Sequence, residues 1–185
     1  MNRVETTLPG VFLIQSELRQ DTRGFFLEVY HQAKFAELGI TDHFVQDNHS
    51  RSQKGVLRGL HYQLHRPQAK LCRVIEGEVL DVAVDIRVGS PTFGKSVTVP
   101  LCAENHNQIY IPAGFAHGFL VLSDWAQFLY KCSDFFDSAD DRGVLWNDLD
   151  LNIAWGIECP TVSEKDKQNP PLSDIPREFL PHYEP

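Results

Sequence analysis

The sequence predicts an all-β fold, either a sandwich or a barrel. Short runs rich in β-branched and aromatic residues recur through the middle of this chain, turn residues separate them at nearly regular spacing, and only residues 32–38 have a helical pattern before the C-terminus. A length of 185 residues corresponds to about one domain. We therefore expect a single domain over residues 1–185, with a Pro-rich and charged tail from about residue 156 that wraps its surface.

Eight strands are predicted, in chain order, over residues 25–29, 55–63, 70–75, 78–86, 95–101, 108–111, 118–122 and 127–132. The fourth is the clearest, because apolar residues alternate along VLDVAVDI with the period of two expected of a strand with one buried face. Glu76-Gly77 predicts a tight hairpin before it, and GSPTFG and PAG predict other turns. The segment SEKDK predicts one helical turn in the tail.

Charge and cysteine usage exclude several classes of protein. The net charge of −8 repels polyanions, which argues against general binding to nucleic acid or to anionic membranes. Four cysteines without a C-x-x-C pair indicate free thiols. The apolar run over residues 11–14 is too short for a secretory signal, and no run approaches the ~20 residues of a membrane helix. We expect a cytoplasmic protein.

Residues 44–64 are unusually polar for a stretch otherwise typical of strands. In a barrel these side chains can line an interior cavity that holds a polar ligand; on an edge strand they form a solvated face. Arg58 and His61 are three residues apart, so a regular strand directs them to opposite faces, and Gly59 is a place for a bulge that re-aims one of them. The polar residues concerned are Gln46, Asp47, Asn48, Arg58, His61 and Gln63.

The segment IPAGFAHGFLVL, residues 111–122, has the Pro-x-Gly-x-x-His spacing that resembles the second motif of cupins, which are small jelly-roll barrels. Metal-binding cupins also carry His-x-His in a first motif, where this chain has His61-Tyr62-Gln63. Lys70 follows that motif, and its ammonium repels a cation. We therefore expect a jelly-roll barrel with a few short peripheral helices and no metal or other cofactor.

A cavity without metal needs side chains for its chemistry. His61 is a candidate general base, Lys70 a cation for a developing oxyanion, His117 a second histidine and Tyr130 a phenol. Asp166 is a carboxylate that can orient the base. Each of these residues alone also has an ordinary structural interpretation, and their joint presence favours the functional one.

Together these residues resemble the dTDP-4-dehydrorhamnose 3,5-epimerase family, cupin-fold enzymes of deoxysugar nucleotide biosynthesis. The resemblance runs from about residue 8 to 166 and rests on DTRGFFLE (21–28), FVQDNHSRS (44–52), GVLRGLHYQ (55–63), QAKLCRVIEGEVLDVAVDIR (68–87), SPTFG (90–94), IPAGFAHGF (111–119), FLYK (128–131) and SEKD (163–166). It implies inversion of C3 and C5 of dTDP-4-dehydro-6-deoxy-D-glucose through an enolate, by a homodimer whose subunits exchange strands.

The resemblance also implies roles for individual residues. His61 is implied as proton acceptor, Asp166 as its paired carboxylate, Tyr130 as proton donor on the opposite face of the sugar, Lys70 as the group near the keto oxygen, and His117 as a wall of the sugar pocket. Substrate-binding roles are implied for Arg23, Phe26, Glu28, Gln46, Asp47, Asn48, Arg58, Phe135, Asp141 and Lys165.

The chain departs from the family pattern in two features. Asp141 stands where the family commonly has Glu, and Phe135-Phe136 replaces a frequent Tyr-Tyr, which keeps stacking on a pyrimidine and loses a phenol hydrogen bond. Three other functions share much of this pattern: an epimerase that inverts only one carbon, a non-catalytic cupin that binds sugar nucleotides, and a metal-dependent cupin oxygenase.

Overall fold

The computed structural model describes residues 1–184, and strands dominate it, as predicted. The helices are α1 (Gln32–Glu37) and α2 (Glu164–Lys167), and none within the described residues has the length and hydrophobicity that crossing a membrane requires. The strands are β1 (Asn2–Glu5), β2 (Phe12–Gln15), β3 (Arg19–Asp21), β4 (Gly24–Phe26), β5 (Gln46–Gln53), β6 (Leu57–Gln63), β7 (Lys70–Glu76), β8 (Glu78–Asp85), β9 (Ser96–Cys102), β10 (Gln108–Ile111), β11 (Phe115–Val121), β12 (Trp125–Cys132) and β13 (Asp141–Gly143).

Two antiparallel sheets form the body of the fold. One has the strand order β1-β2-β10-β7-β12-β5 and the other β13-β6-β11-β8-β9, while β3 and β4 form a separate hairpin. Apolar side chains from both sheets, including Val74, Phe128 and Phe115, pack in the core between them. The two sheets therefore face each other across the core, and they form the opposite walls of any cavity between them.

A second apolar cluster covers the other face of the five-stranded sheet. Val82 and Val84 of β8 pack there with Trp155, and the tail residues Leu172 and Leu180 are buried in the same cluster. The last part of the chain thus contributes core side chains, although it contains only α2 and two 3₁₀ turns as helical structure within the described residues.

Strand β8 differs from its prediction, because both of its faces are buried. Val79 and Ala83 pack between the sheets, Val82 and Val84 pack under the tail, and Asp81 is also buried. The polar residues in the alternation are internal: Asp81 meets His117, and Asp85 accepts hydrogen bonds from Arg87, Ser90 and Thr92. Carboxylates that are buried and hydrogen-bonded therefore give the same alternation of apolar and polar residues as a strand with one face in solvent.

The hairpin expected at Glu76-Gly77 is wrong. Strands β7 and β8, on either side of it, belong to different sheets and do not pair with each other. Gly77 has φ of +76°, and a Cβ there would lie 2.0 Å from the carbonyl oxygen of Trp125. Gly77 therefore lies in a tight connection that carries the chain from one sheet to the other. Such a connection uses the same turn residues as a hairpin.

Seven of the eight predicted strands overlap observed strands closely, and residues 108–111 match β10 at both ends. In place of the predicted strand 25–29, the observed strand β4 is shorter and begins one residue earlier, since it covers Gly24–Phe26. Five strands were not predicted: β1, β2, β3, β5 and β13. Strands β1 and β3 are exposed throughout and β13 has three residues, so they lack the alternation that identifies a half-buried strand.

Candidate active site

A cavity of about 430 Å³ opens between the two sheets and is partly closed by the segment that leads into α2. Three residues of that segment, Thr161, Val162 and Ser163, line the cavity. Of the predicted site residues, the cavity brings together Arg58, His61, Lys70, His117, Tyr130, Asp141, Lys165 and Asp166. These come from both sheets and from the tail, so only the folded chain assembles them.

His61 and Asp166 form a hydrogen-bonded pair on the wall made by the five-stranded sheet. Nε2 of His61 lies 2.6 Å from Oδ1 of Asp166. Helix α2 presents this carboxylate: Ser163 caps the helix by accepting from the Asp166 amide at 3.1 Å. Burial alone would raise the pKa of Asp166, but the hydrogen bond and charge of His61, with hydrogen bonds from Gly59 and Ser163, lower it overall. An ionised Asp166 only accepts, so His61 donates through Nε2 and Nδ1 is free to take a proton.

A local irregularity of strand β6 at Gly59 explains how the side chains of Arg58 and His61 both line one cavity. The pairing of β6 with β11 shifts register between His117 and Phe119, opposite this point. Gly59 has φ of +130°, and a Cβ on it would lie 2.5 Å from the Cα of Gly118. The irregularity expected at Gly59 is present, and only glycine permits the close approach of the two strands there.

His117 lies directly across from His61 in the antiparallel pair of β6 and β11. Its Nε2 is 2.9 Å from Oδ2 of Asp81, a carboxylate that is fully buried. Asp81 was not recognised as a site residue, because the alternation of β8 made it part of a presumed solvated face. The first wall therefore carries two histidines, each oriented by its own carboxylate.

Tyr130 and Lys70 stand on the opposite wall, on β12 and β7 of the six-stranded sheet. The Tyr130 ring packs 5.9 Å from Phe128, whose ring stacks on Phe119 at 4.2 Å. Burial, reinforced by nearby Cys132 and Cys72, raises the pKa of Tyr130 to about 12. The phenol thus keeps its proton at neutral pH and has it available to donate.

Charged side chains lie at the mouth of the cavity. Arg58 donates from Nε and a terminal nitrogen to the hydroxyl of Ser52, at 3.2 and 3.1 Å. Lys165 pairs with Asp141. These groups can hold a polyanionic part of a ligand while the histidines and Tyr130 contact a smaller part deeper inside.

The predicted nucleotide-binding residues of β5 divide between its two faces. This strand is the edge of its sheet and alternates in exposure, so the edge-strand interpretation is correct for β5. Gln46 and Asn48 share one face and are joined by a 3.0 Å hydrogen bond. Asp47 points away from them, to Lys131 at 2.8 Å. Phe135 lies beyond the cavity lining and is 52% exposed.

Besides the β5 residues and Phe135, three more predicted residues do not line the cavity of their own chain. Arg23 and Phe26 are on the β3–β4 hairpin, and Glu28 follows it. Arg23 is paired with Asp21, Glu28 lies 2.6 Å from Lys34, and Phe26 is 69% exposed. Within the described part of the chain, no residue of this hairpin lines the cavity that holds His61 and Tyr130.

The donors closest to a metal-binding arrangement are Cys72, Asp81 and His117, which lie within 4.8 Å of one another and are all buried. Burial, with the neighbouring charge of Asp81, raises the pKa of the Cys72 thiol well above its usual range.

Fold and site together define a cupin-type carbohydrate epimerase, as comparisons with known proteins establish. The family model described as dTDP-4-dehydrorhamnose 3,5-epimerase matches residues 5–174. The dTDP-4-dehydrorhamnose 3,5-epimerase of Shigella flexneri is 54% identical over 168 residues, 90% of this chain and 93% of that protein.

Two solved structures are also similar. The dTDP-6-deoxy-D-glucose-3,5-epimerase of Legionella pneumophila, in complex with dTDP-4-keto-L-rhamnose, is 49% identical with a TM-score of 0.97, covering 100% of this chain and 99% of that one. A 3'-monoepimerase of Streptomyces bikiniensis, in complex with dTDP-quinovose, is 34% identical with a TM-score of 0.91, covering 97% and 93%. The chain belongs to the dTDP-4-dehydrorhamnose 3,5-epimerase family, and the cupin-type fold predicted from the sequence is confirmed.

Proposed function

We propose that this protein inverts C3 and C5 of dTDP-4-dehydro-6-deoxy-D-glucose to give dTDP-4-dehydro-L-rhamnose. One observation carries the proposal: a carboxylate-oriented histidine and a protonated phenol line one cavity from opposite sheets. Inversion at a carbon requires removal of hydrogen from one face and its return to the other. Both C3 and C5 are next to the C4 ketone, so each hydrogen can leave as a proton to give an enolate.

His61 is the proposed base. With Nε2 donating to Asp166, Nδ1 takes the proton from carbon, and the electron pair of the C–H bond moves into the enolate. Asp166 then stabilises the imidazolium through the same hydrogen bond. Tyr130 returns a proton from the other face. Before the next inversion its phenolate recovers a proton from solvent, and the His61 imidazolium releases one to solvent.

Lys70 is the proposed partner of the enolate oxygen. It lies on the wall of Tyr130, and the described residues provide it with no carboxylate within ion-pairing distance. A fixed positive charge at a developing oxyanion typically contributes ~3 to 4 kcal/mol to transition-state stabilisation. His117, oriented by Asp81, is proposed to line the sugar pocket beside His61.

The nucleotide and diphosphate are proposed to bind at the mouth of the cavity. Arg58 and Lys165 supply positive charge there, and Asp141 pairs with Lys165. Gln46, Asn48 and, from the outer side of β5, Asp47 are proposed to bind the nucleoside, with Phe135 stacking on its base. Binding energy from this end holds the small sugar in place through two successive inversions.

The working unit is proposed to be a homodimer in which the β3–β4 hairpin of one subunit enters the other's site. Support comes from the hairpin itself: it belongs to neither main sheet, and Phe25 and Phe26 are 61% and 69% exposed. Adjacent exposed aromatic rings are typical of an interface. In the partner's cavity Arg23 would meet the diphosphate, with Phe26 and Glu28 at the nucleoside. Four free cysteines support a reducing compartment, the cytoplasm.

The test is direct conversion. Purified protein is incubated with dTDP-4-dehydro-6-deoxy-D-glucose and the sugar is followed by proton NMR; we expect the signals of dTDP-4-dehydro-L-rhamnose to appear. Conversion should persist after treatment with a metal chelator. Tight binding of the substrate without any conversion would instead support a non-catalytic cupin, and loss of activity on chelation would support metal chemistry.

A further inference from the structure

Gln63 is a buried polar residue that the proposed chemistry does not use. It lies on β6 two positions after His61, and it is 5% exposed. The cavity lining does not include it, and in the cupin first motif it replaces a histidine. A buried amide of this kind costs free energy unless its donors and acceptor are all paired, so its partners indicate its purpose.

Every hydrogen bond of the Gln63 side chain goes to the backbone of one of two neighbouring loops, after β6 and after β12. Nε2 donates to the carbonyl oxygens of Arg66 at 2.7 Å and Phe135 at 3.1 Å, and Oε1 accepts from the amide of Asp137 at 2.9 Å. Both amide hydrogens and the oxygen are thus engaged. Two of the three hydrogen bonds are made to the backbone of Phe135 and Asp137, the residues on either side of Phe136.

The same short segment is tied to the predicted nucleoside site on β5. The amide of Phe136 donates to Oε1 of Gln46 at 2.9 Å, and Gln46 in turn donates to Asn48 at 3.0 Å. Phe135 and Phe136 are nevertheless 52% and 54% exposed. The backbone of this segment is held firmly while its two aromatic rings remain open to solvent, an arrangement that suits stacking with a flat ligand.

We infer that Gln63 is a positioning residue for nucleotide binding: it fixes the backbone of residues 135–137 so that the ring of Phe135 is already placed to stack on the base. The inference rests on the proposed function for the identity of the ligand. It assigns to Gln63 no contact with the sugar. Loss of its hydrogen bonds should therefore weaken nucleotide binding and leave the chemistry at C3 and C5 nearly unchanged.

The experiment compares Gln63→Met, which keeps the length of the side chain and removes its hydrogen bonds, with Phe135→Ala and with the double variant. Gln127→Met is the matched control, since Gln127 also makes two side-chain hydrogen bonds, to His49 and Glu76, outside the cavity. Calorimetry with dTDP alone gives Kd, and conversion of the dTDP-sugar gives KM and kcat.

We expect Gln63→Met to raise both Kd and KM about tenfold while kcat stays within about twofold. The double variant should bind dTDP no more weakly than Phe135→Ala, because Gln63 acts through that ring. An unchanged Kd in Gln63→Met, effects that multiply in the double variant, or a fall in kcat at constant KM would overturn the inference. Should Gln63→Met fail to fold, Gln63→Glu, which keeps the acceptor for Asp137 and loses both donors, is judged by the same Kd.

The failure of the inference and that of the proposed function are distinguishable. A wild-type protein that binds dTDP without converting the sugar contradicts the proposed function, while the Kd comparison still decides the role of Gln63. A wild-type protein that does not bind dTDP overturns both.

Discussion

His61 and Tyr130 approach the cavity from different sheets, and this separation gives them different proposed tasks. A base that removes a proton does not need the acid for that step, because the enolate can take the proton back from the same group. Exchange of hydrogen with solvent and inversion of the carbon are therefore separable events. Substitutions on the two walls should separate them.

Tyr130→Phe should slow inversion by at least ~100-fold while hydrogen exchange on the His61 side continues. The ring and its packing on Phe128 are kept, and only the proton donor is lost. Exchange is measured by mass spectrometry in heavy water and inversion by NMR. Equal loss of exchange at both carbons would contradict the division of roles.

His61→Ala should reduce conversion by ~100-fold or more without unfolding the protein, because His61 is only half-buried and its hydrogen bond is to a site residue. Activity and thermal melting are measured on the same samples. A large fall in Tm would show that this histidine is structural instead.

Asp166 gives a prediction about pH. Its lowered pKa means that folding favours the ionised carboxylate, so its contribution to stability is present above its ordinary pKa near ~3.9 and is lost as pH falls through the lower value. The destabilisation caused by Asp166→Asn should therefore be largest above about pH 5 and shrink towards pH 3. Urea unfolding at several pH values measures it, with exposed Asp124→Asn as control. A difference independent of pH would contradict this assignment.

Among the secondary-structure elements, strand β6 is the one in which the sequence most clearly predicts a local irregularity. The spacing of Arg58 and His61 conflicts with strand parity, and that conflict together with Gly59 locates the irregularity that the structure contains. The helical turn SEKDK is likewise present as α2, with Ser163 as its cap. Turns, helix caps and strand periodicity depend on residues close together in the chain, so the sequence alone predicts them.

Gly59→Ala should destabilise the fold by more than about 1 kcal/mol, since the new Cβ meets the Gly118 backbone in addition to an unfavourable φ. Gly89→Ala is the matched control: Gly89 also has a positive φ, of +87°, but nothing lies within 4 Å of a Cβ there. The free energy of unfolding is measured in urea. Equal losses for the two variants would show that conformational strain alone matters and that strand approach does not.

Other elements depended on contacts that no local pattern encodes. The interpretation of Asp81 as solvated was wrong because its partner, His117, is 36 positions away. The Glu76-Gly77 turn was assigned to a hairpin because turn residues do not say which sheet the chain enters next. Strand β5 is absent from the eight predicted strands because its polar residues obscure its alternation, and an edge strand was only one of two interpretations of residues 44–64.

For the whole molecule, the central proposal about assembly is that each cavity is completed by the partner's hairpin. Arg23→Ala alone and His61→Ala alone should each be strongly impaired. In a mixed dimer of the two, one cavity has an intact His61 and receives an intact Arg23, so co-refolding the two chains should restore about a quarter of wild-type activity. No recovery in a confirmed mixed dimer would show that Arg23 does not serve the partner's site.

The whole fold is similar to both a 3,5-epimerase and a 3'-monoepimerase. The architecture alone therefore does not determine whether one carbon or two carbons of the sugar are inverted. Isotope labelling counts them. Wild-type protein and dTDP-4-dehydro-6-deoxy-D-glucose in heavy water should give product with deuterium at both C3 and C5, and Tyr130→Phe should retain exchange without inversion. Deuterium at only one carbon, or none at either, would contradict the account of two inversions by His61 and Tyr130.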